Sequence, residues 1–292
     1  MVKSAKYGII AAVDGSAESE IATRWAADEA VMRKVPITLM HVITPMTTSW
    51  PIPQLELSTA EWQKANAQHL IEKAQKTLLA SIGKADGPTI HTEIKTSEVV
   101  TGLLDASTQA LMVVVGSRGL GAASRALLGS VSSGLVHHSH CPVVVAHAGD
   151  TPGNDQLSPV VLGIDGSPAS EAATALAFDE AARRRVDLIA LHAWSDVGVF
   201  PILGMDWREY EDQGHEVLGE RLAGWSGQYP DVRVQRKIVC DRPAQWLVDE
   251  SHQAQLVVVG SHGRGGFPGR LLGSVSSAVA QAAKAPVMVV RG

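Results

Sequence analysis

Short apolar runs alternate with longer amphipathic stretches along the whole chain. The first run, Gly8–Val13, is followed by a helical pattern over Ala17–Arg33, and the same succession begins again at Val160–Ile164. Other runs, such as Leu111–Val115, are apolar at every position. Such runs are typical of strands in a parallel sheet that is covered by helices on both faces. The alternation of strand and helix therefore predicts a doubly wound α/β fold.

The apolar pattern predicts five parallel strands in each half, with helices between them. The strands are expected at Gly8–Val13, Ile37–Val42, Thr89–Ile94, Leu111–Val115 and Val143–Ala146, and at Val160–Ile164, Leu188–Ala193, Val232–Val239, Leu256–Val259 and Val287–Val290. The intervening helices are expected at Ala17–Arg33, Thr59–Leu79 and Val99–Thr108, and at Ala169–Arg184, Tyr210–Trp225 and Pro243–His252. Folds of this kind bind ligands at the carboxyl ends of the strands, beside the point where the strand order reverses.

The second half of the chain repeats the first. Asp14–Ser16 returns 151 positions later as Asp165–Ser167, and Leu127–Ser133 returns 144 positions later as Leu271–Ser277. A period of this length indicates duplicated whole domains, because solenoid repeats have periods of roughly 20–50 residues. The polar, turn-rich stretch 148–158 lies between the copies and is the expected linker. The sequence thus predicts two tandem domains of the same fold, over residues 1–148 and 158–292.

Composition narrows the class of protein. A net charge of −5 gives no general attraction to nucleic acid or to anionic membranes. Cys141 and Cys240 lie far apart and form no CxxC pair, so we expect no structural disulfide and a reducing, cytoplasmic environment. The start of the chain is interpreted as a buried strand rather than a signal peptide. No apolar stretch approaches the roughly 20 residues that span a bilayer.

A glycine-rich segment follows the fourth predicted strand of each half. The segments Gly116–Ser130 and Gly260–Ser274 both fit the spacing G-x2-G-x9-G-S. Glycines let a backbone approach a ligand closely, and a helix that begins directly afterwards offers unpaired N–H groups and the positive end of its dipole. The serine hydroxyls at 130 and 132, and at 274 and 276, can add donors. These features predict a phosphate-binding loop in each half, the alternative being a flexible loop with an N-capped helix.

Two better-known phosphate motifs do not fit these segments. A Walker A loop would need a lysine after the last glycine, where the chain has Ser130 and Ser274. The dinucleotide motif GxGxxG follows the first strand of its fold, whereas these segments follow the fourth.

With these motifs, the chain resembles the universal stress protein family, and in particular the tandem-domain members of mycobacteria and related actinobacteria. The resemblance covers essentially the whole chain and includes Val13–Ser16, Ile164–Ser167 and the closing strands that begin at Cys141 and Ala285. The ATP-binding branch of that family carries the glycine motif. The resemblance therefore implies a Rossmann-like fold with one ATP site in each half, optionally with Mg²⁺ accompanying the nucleotide.

The resemblance also implies where ribose, phosphates and base would lie. Asp14 and Asp165, at the ends of the first strands, would lie near ribose and phosphates, directly or through a divalent metal; the alternative is that each only caps the next helix. Backbone groups of Val42 and Ala193 would meet the adenine edge.

The remaining positions of the two expected sites follow from the same motifs. The apolar cover over the base would come from Val100 and Ala244. In the first half the other expected binding residues are Ala12, Gly116, Ser117, Arg118, Gly119, Leu120, Gly121, Gly129, Ser130, Val131 and Ser132. In the second half they are Gly163, Gly260, Ser261, His262, Gly263, Arg264, Gly265, Gly273, Ser274, Val275 and Ser276.

The copies differ at some of these positions. Ala12 corresponds to Gly163, so we expect the backbone of the first copy to approach a nucleotide less closely there. Arg118 and Leu120 correspond to His262 and Arg264. These differences predict two sites of unequal affinity, without indicating which binds more tightly.

Histidines invite other interpretations, which the sequence does not favour. The run His137–Cys141 has no counterpart of similar composition in the second half, and its spacing matches no zinc template, so we do not expect a metal site there. His41 and His192 recur at strand ends, where a hydrogen-bonded structural histidine is the more common role.

The expected function rests on the family resemblance and on the absence, in the sequence, of residues spaced as a catalytic set. No nucleophile–base–orienter set appears, which favours a binding and regulatory protein over an enzyme. We expect an ATP-linked regulator of growth or stress survival that acts through its conformation or a protein partner. The alternatives are a slow ATPase or self-phosphorylating enzyme, and a sensor of AMP or cyclic AMP.

The closing strands also predict association. Val143–Ala146 and Val287–Val290 are apolar enough that an exposed edge would favour aggregation, so we expect the two copies to pair through them. The family resemblance further implies a homodimer. Sedimentation velocity over a range of concentrations should detect a species of twice the chain mass, and a monomer at every concentration would contradict the dimer.

Overall fold

The computed structural model describes residues 5–45, 53–82, 87–121, 128–147, 157–193, 207–263 and 272–291. The chain divides into two compact units, Met1–Ala148 and Gly149–Gly292. Within the described residues, no helix is long and apolar enough to cross a membrane.

Unit one alternates strands and helices from its first described residues to its last. Its elements are β1 (Ile9–Ala12), α1 (Ala17–Arg33), β2 (Ile37–Ile43), α2 (Pro53–Ile82), β3 (Ile90–Thr96), α3 (Val99–Ser107), β4 (Met112–Gly116), α4 (Ser130–His138) and β5 (Val143–Ala146).

Unit two repeats this order. Its elements are β6 (Val160–Gly163), α5 (Pro168–Arg184), β7 (Leu188–Ala193), α6 (Trp207–Gln228), β8 (Val234–Val239), α7 (Pro243–Glu250), β9 (Leu256–Gly260), α8 (Ser274–Ala282) and β10 (Val287–Val290).

The described strands of each unit pair in parallel, in an order that reverses once. In unit one the order is β3-β2-β1-β4-β5, with Ile9 opposite both Ile37 and Met112. In unit two it is β8-β7-β6-β9-β10. The reversal lies between β1 and β4, and between β6 and β9, so a crevice opens at the carboxyl ends of these strands. The predicted doubly wound fold is confirmed.

Every strand and helix predicted from the sequence is present in the structure, but two helices are longer than predicted. α2 begins at Pro53 rather than Thr59, and α6 begins at Trp207 rather than Tyr210. Proline is favoured at the first helical position because its missing N–H would be unpaired there anyway, and this signal marks the true start of α2. The predicted N-caps of α1 and α5 are confirmed, since Ser16 and Ser167 accept from the backbone N–H groups of Ser19 and Ser170.

A buried ion pair anchors the last turns of α1 and α5. Glu29 and Glu180 are fully buried, and each pairs with the arginine four residues later, Arg33 and Arg184. In unit two the guanidinium of Arg184 also donates to Oε1 of Gln255 at 3.1 Å. Because these carboxylates have left water, each depends on its partner.

Removing one member of this pair should destabilise unit two. We expect Glu180→Ala to lower the free energy of unfolding by about 3–5 kcal/mol, since the largely buried guanidinium of Arg184 would lose its carboxylate partner. The neighbouring Asp179→Ala breaks the more exposed pair with Arg183 and should cost at most about 1 kcal/mol. Urea denaturation followed by circular dichroism measures both, and equal costs would show that burial of the pair is unimportant.

Candidate functional site

A cavity of about 620 Å³ opens at the carboxyl ends of β1, β2 and β4 in unit one. It lies at the point where the strand order reverses, as doubly wound folds predict. Twelve of the residues expected in the first site line it: Ala12, Asp14, Val42, Gly116, Arg118, Gly119, Leu120, Gly121, Gly129, Ser130, Val131 and Ser132.

Two expected residues are not among the lining residues. A Cβ on Gly134 would lie 2.8 Å from Cγ1 of Val100, so Val100 packs against α4 and Val99 faces the cavity instead. Ser117 fixes the loop through its main chain, donating to the carbonyl of Ala146 at 2.7 Å and accepting from the N–H of Gly129 at 2.8 Å. Val99 thus lines the cavity where the sequence suggested Val100, because contact with α4 sets the face that α3 presents.

Other lining residues were not expected from the sequence. They are Val13, Ser19, Met40, His41, Val99, Leu103, Val115 and Leu128. The helical spacing of Val99 and Leu103, four residues apart, is the signal that could have indicated a shared face of α3. The apolar side chains contributed by β2 and α3 make that wall of the cavity suited to a flat apolar group.

His41 combines a structural role with a place in the wall. Its Nδ1 lies 2.6 Å from the carbonyl oxygen of Val13, and Nδ1 of His192 lies 2.7 Å from that of Ile164. A carbonyl only accepts, so Nδ1 carries the proton in each ring. The structural interpretation of both histidines is confirmed, and His41 in addition lines the cavity.

Asp14 joins the first loop of unit one to its glycine-rich loop. Oδ1 accepts from the backbone N–H and the hydroxyl of Ser16, at 2.9 and 2.6 Å. Oδ2 accepts from the N–H of Leu120 at 3.3 Å, and a Cβ on Gly119 would lie only 2.5 Å from it. The N-cap of α1 is Ser16 and not Asp14, so the alternative role of Asp14 as a simple helix cap is wrong.

The first turn of α4 presents unpaired backbone donors to the cavity. Its N-cap is Gly129, and no described side chain accepts from this turn. The N–H groups of Ser130, Val131 and Ser132 have no acceptor within the helix, and all three residues line the cavity. Together with the positive end of the helix dipole, they form a surface suited to an anion.

Two serine hydroxyls expected to contact phosphate are used elsewhere. Ser132 donates its hydroxyl to the carbonyl oxygen of Gly116 at 2.6 Å, and Ser276 donates to that of Gly260. Both serines are buried, so only their backbone N–H groups remain for a ligand. The hydroxyls tie each final helix to the end of the preceding strand.

The first glycine of each motif also has a packing role, beside its expected place in a binding site. A Cβ on Gly116 would lie 2.7 Å from the backbone carbonyl carbon of Glu18, and one on Gly260 would lie 2.8 Å from that of Ala169. No side chain fits there, because real Cβ atoms essentially never approach so closely. These glycines allow the first turns of α1 and α5 to approach the sheet.

Unit two repeats the main-chain geometry of the site. Oδ1 of Asp165 accepts from the N–H of Ser167 at 2.9 Å, and a Cβ on Gly263 would lie 2.6 Å from Oδ2. The N–H of Gly273 donates to the carbonyl of Ser261 at 2.7 Å. Gly273 is also the N-cap of α8, with no described side chain accepting from the first turn, which Ser274, Val275 and Ser276 form.

The other positions expected in the second site are placed as follows. Ala193 ends β7, and Ala244 is the second residue of α7. The carbonyl of His262 accepts from the hydroxyl of Ser167 at 2.9 Å. Arg264 and Gly265 lie outside the described residues.

Ala12 and Gly163 differ for a reason that involves packing. A Cβ on Gly163 would lie 3.0 Å from Cδ1 of Leu247. Leu247 corresponds to Leu103 in the repeat, and both leucines are buried. The difference therefore affects how a leucine fits against the strand end, and the expected effect on backbone approach to a ligand stays a prediction.

The turns before α3 and α7 also differ. Glu98 caps α3 by accepting from the N–H of Thr101 at 2.9 Å, and that hydrogen bond lowers the pKa of the Glu98 carboxyl. At α7 the cap is Arg242, with φ 48°, preceded by Asp241 with φ 57°. Two consecutive non-glycine residues in the left-handed region cost on the order of 1–2 kcal/mol each.

The histidine run does not assemble a metal centre within the described part of the chain, where no group of three or more His, Cys, Asp or Glu side chains has metal-binding geometry. Cys141 is buried, and its carbonyl accepts a hydrogen bond from the hydroxyl of Ser139 at 3.0 Å. Burial raises the pKa of the Cys141 thiol to about 11. This thiol is therefore protonated and unreactive near neutral pH.

The fold defines a class of protein: a duplicated doubly wound α/β domain, with a cavity at the carboxyl ends of the strands in unit one. The chain belongs to the universal stress protein family, whose domain matches residues 8–147 and again residues 157–291. The predicted family membership is thereby confirmed.

Full-length relatives support the same assignment. The chain is 57% identical over 292 residues to a universal stress protein of Mycolicibacterium smegmatis, covering 100% of this chain and 99% of the relative. It is 48% identical over 289 residues to a universal stress protein of Mycobacterium tuberculosis, covering 99% and 97% of the two chains. A universal stress protein structure from Archaeoglobus fulgidus matches with a TM-score of 0.71 and 21% identity, covering 97% of this chain and 98% of that one, and shows the shared fold.

The two cysteines should differ sharply in reactivity. A maleimide reagent at pH 7.5 should label Cys240, which is exposed, and leave the buried Cys141 unmodified in the folded protein. Burial and the charge of Asp241 raise the pKa of Cys240 as well, so its labelling rate should increase as pH rises above neutrality. Mass spectrometry of the intact chain counts the labels, and labelling of a folded Cys240→Ser variant would contradict the burial of Cys141.

Proposed function

We propose that each unit binds one ATP at the carboxyl ends of its first and fourth strands, and that the protein acts as a nucleotide-dependent regulator of growth or stress survival. The observation that carries the proposal is the composition of the 620 Å³ cavity wall in unit one. β2 and α3 contribute apolar side chains, and the start of α4 contributes backbone donors. A ligand that is apolar at one end and anionic at the other matches this wall.

The size of the cavity agrees with a nucleotide. Small-molecule sites have volumes of about 300–1,000 Å³, are mostly apolar and contain a few well-placed polar groups. Here the apolar groups include Met40, Val42, Val99 and Leu103, and the polar groups are main-chain N–H donors. In this proposal the adenine lies between β2 and α3, and the phosphates lie on the first turn of α4.

Asp14 gives the site a carboxylate beside the expected phosphates. Two like charges at short range repel, so phosphates would approach Asp14 most favourably with a cation between them. Mg²⁺ is usually held by one or two carboxylates together with phosphate oxygens and water, and Asp14 and Asp165 are suited to that role. The metal would neutralise phosphate charge, while the protein supplies the main-chain donors.

Regulation by binding is favoured over turnover. Among the described residues that line the cavity, the groups able to act as a base are Asp14 and His41. Nδ1 of His41 is occupied by the Val13 carbonyl, and Oδ1 of Asp14 is occupied by Ser16. Among the described residues that line the wall, no serine hydroxyl is hydrogen-bonded to Asp14 or His41. A cytoplasmic protein that changes its conformation, its homodimer or its partner when ATP binds is consistent with this arrangement.

Single glycine variants test the two sites separately. In Gly119→Val the new side chain would displace the Asp14 carboxylate, and in Gly263→Val it would displace that of Asp165. The ATP stoichiometry measured by titration calorimetry should therefore fall from two nucleotides per chain to one in either variant, and to none in the double variant. Gly224→Ala is the matched control, because its Cβ meets nothing within 4 Å and two nucleotides should still bind.

Two outcomes separate this proposal from a purely structural role for the loop. If the folded double variant still bound two nucleotides, the assigned sites would be wrong. The proposed function would fail if the purified natural protein released no nucleotide on denaturation and the folded protein bound neither ATP, AMP nor cyclic AMP. Single-turnover incubation with labelled ATP would reveal the slow ATPase if it existed.

A further inference from the structure

Arg118 is the one Lys or Arg side chain among the described residues that line the cavity of unit one. Its Nη2 lies 3.3 Å from Oε1 of Glu18, in the first turn of α1. The two side chains are 22% and 19% exposed, so the pair is partly removed from water. The positive charge available to a ligand is therefore already engaged by a carboxylate.

Both members of this pair are held in place by the backbone. A Cβ on Gly116 would lie 2.7 Å from the Glu18 backbone, so the first turn of α1 lies directly on the end of β4. The Cα of Arg118 lies against Gly129, 3.2 Å from the position of a Cβ there. The arginine therefore extends from a fixed point beside the start of α4, where the unpaired N–H groups lie.

Unit two changes both members together. The position of Glu18 is occupied by Ala169, and that of Arg118 is occupied by His262, whose Nδ1 lies 2.9 Å from the hydroxyl of Ser261. A glutamate without the arginine would place an uncompensated carboxylate next to the loop. The paired replacement indicates that the two residues act as a unit in the first site.

We propose that Arg118 and Glu18 set the preference of the first site for a nucleoside triphosphate over a monophosphate. This inference rests on the proposed nucleotide binding. A guanidinium has five N–H donors and binds phosphate oxygens in a fork, so Arg118 is suited to the outer phosphates of a triphosphate. Glu18 competes with those phosphates for the guanidinium. A monophosphate has no outer phosphates, so contact with Arg118 adds less to its affinity than to that of a triphosphate.

The competition predicts effects of opposite sign. Arg118→Gln should weaken ATP binding roughly 10- to 100-fold, the value of a hydrogen-bonded charge, and weaken AMP binding much less. Glu18→Gln should strengthen ATP binding roughly 2- to 5-fold, because a partly exposed pair no longer has to be broken. In the double variant the gain from Glu18→Gln should shrink, because the part that acts through Arg118 is lost and only the relief of direct repulsion between Glu18 and the phosphates remains.

The test uses the full chain with the second site closed by Gly263→Val, and titration calorimetry with ATP and with AMP. Glu20→Gln is the matched control: Glu20 is the other acid in the first turn of α1, but it pairs with Lys73 and Arg24. The ratio of ATP to AMP affinity should rise with Glu18→Gln, fall with Arg118→Gln and stay constant with Glu20→Gln. Arg118→Lys keeps the charge and should retain part of the ratio, which covers the case in which the glutamine variant does not fold.

A transplant supplies an independent arm. With the first site closed by Gly119→Val, His262→Arg should raise the ATP to AMP ratio of the second site, and adding Ala169→Glu should reverse part of that gain. An unchanged ratio in Glu18→Gln, or an equal rise in Glu20→Gln, would overturn the inference while nucleotide binding stands. Absence of all nucleotide binding in the folded natural chain would instead overturn the proposed function and the inference together.

Discussion

The close approach of α1 to the end of β4 is the constraint on which the rest of unit one depends. It is possible because Gly116 has no side chain, so the Glu18 backbone can lie where a Cβ would otherwise be. This contact sets the height of α1 over the sheet and, with it, the position of the Asp14–Ser16 loop. The same loop then receives the glycine-rich segment, because Asp14 accepts from the Leu120 N–H. Unit two has the same contact between Gly260 and Ala169.

A second constraint closes the neck of the glycine-rich loop. The N–H of Gly129 donates to the carbonyl of Ser117, and the hydroxyl of Ser132 donates to that of Gly116. Both bonds tie the start of α4 to the end of β4, so the helix dipole is aimed into the cavity by the strand itself. The set of backbone donors at the start of α4 is therefore a property of the fold and does not require a charged side chain.

The order of strands and helices and the position of the glycine-rich loop at the cavity could be predicted from the sequence, because both depend on local signals. Apolar runs fix the strands, and glycine followed by Ser130 at a helix start fixes the loop. What could not be predicted depends on contacts between elements. Val99 lines the wall where Val100 was expected because Val100 fits against Gly134, and Gly116 lines the cavity while it also admits the backbone of α1. The hydroxyl of Ser132 is directed inward by a carbonyl that no spacing rule identifies.

The N-cap glycines of α4 and α8 have a consequence for how the duplicated chain can change over time. Since each cap contributes backbone atoms alone, the surface it forms survives almost any exchange of neighbouring side chains. One copy can thus carry Arg118 and the other His262 without either losing the main-chain donors. A gene that has duplicated such a domain starts with two equal sets of backbone donors. The side chains beside one set can then change, while those beside the other set keep the original ligand preference. Selection acts on these few side chains, and the shared backbone geometry tolerates mutation.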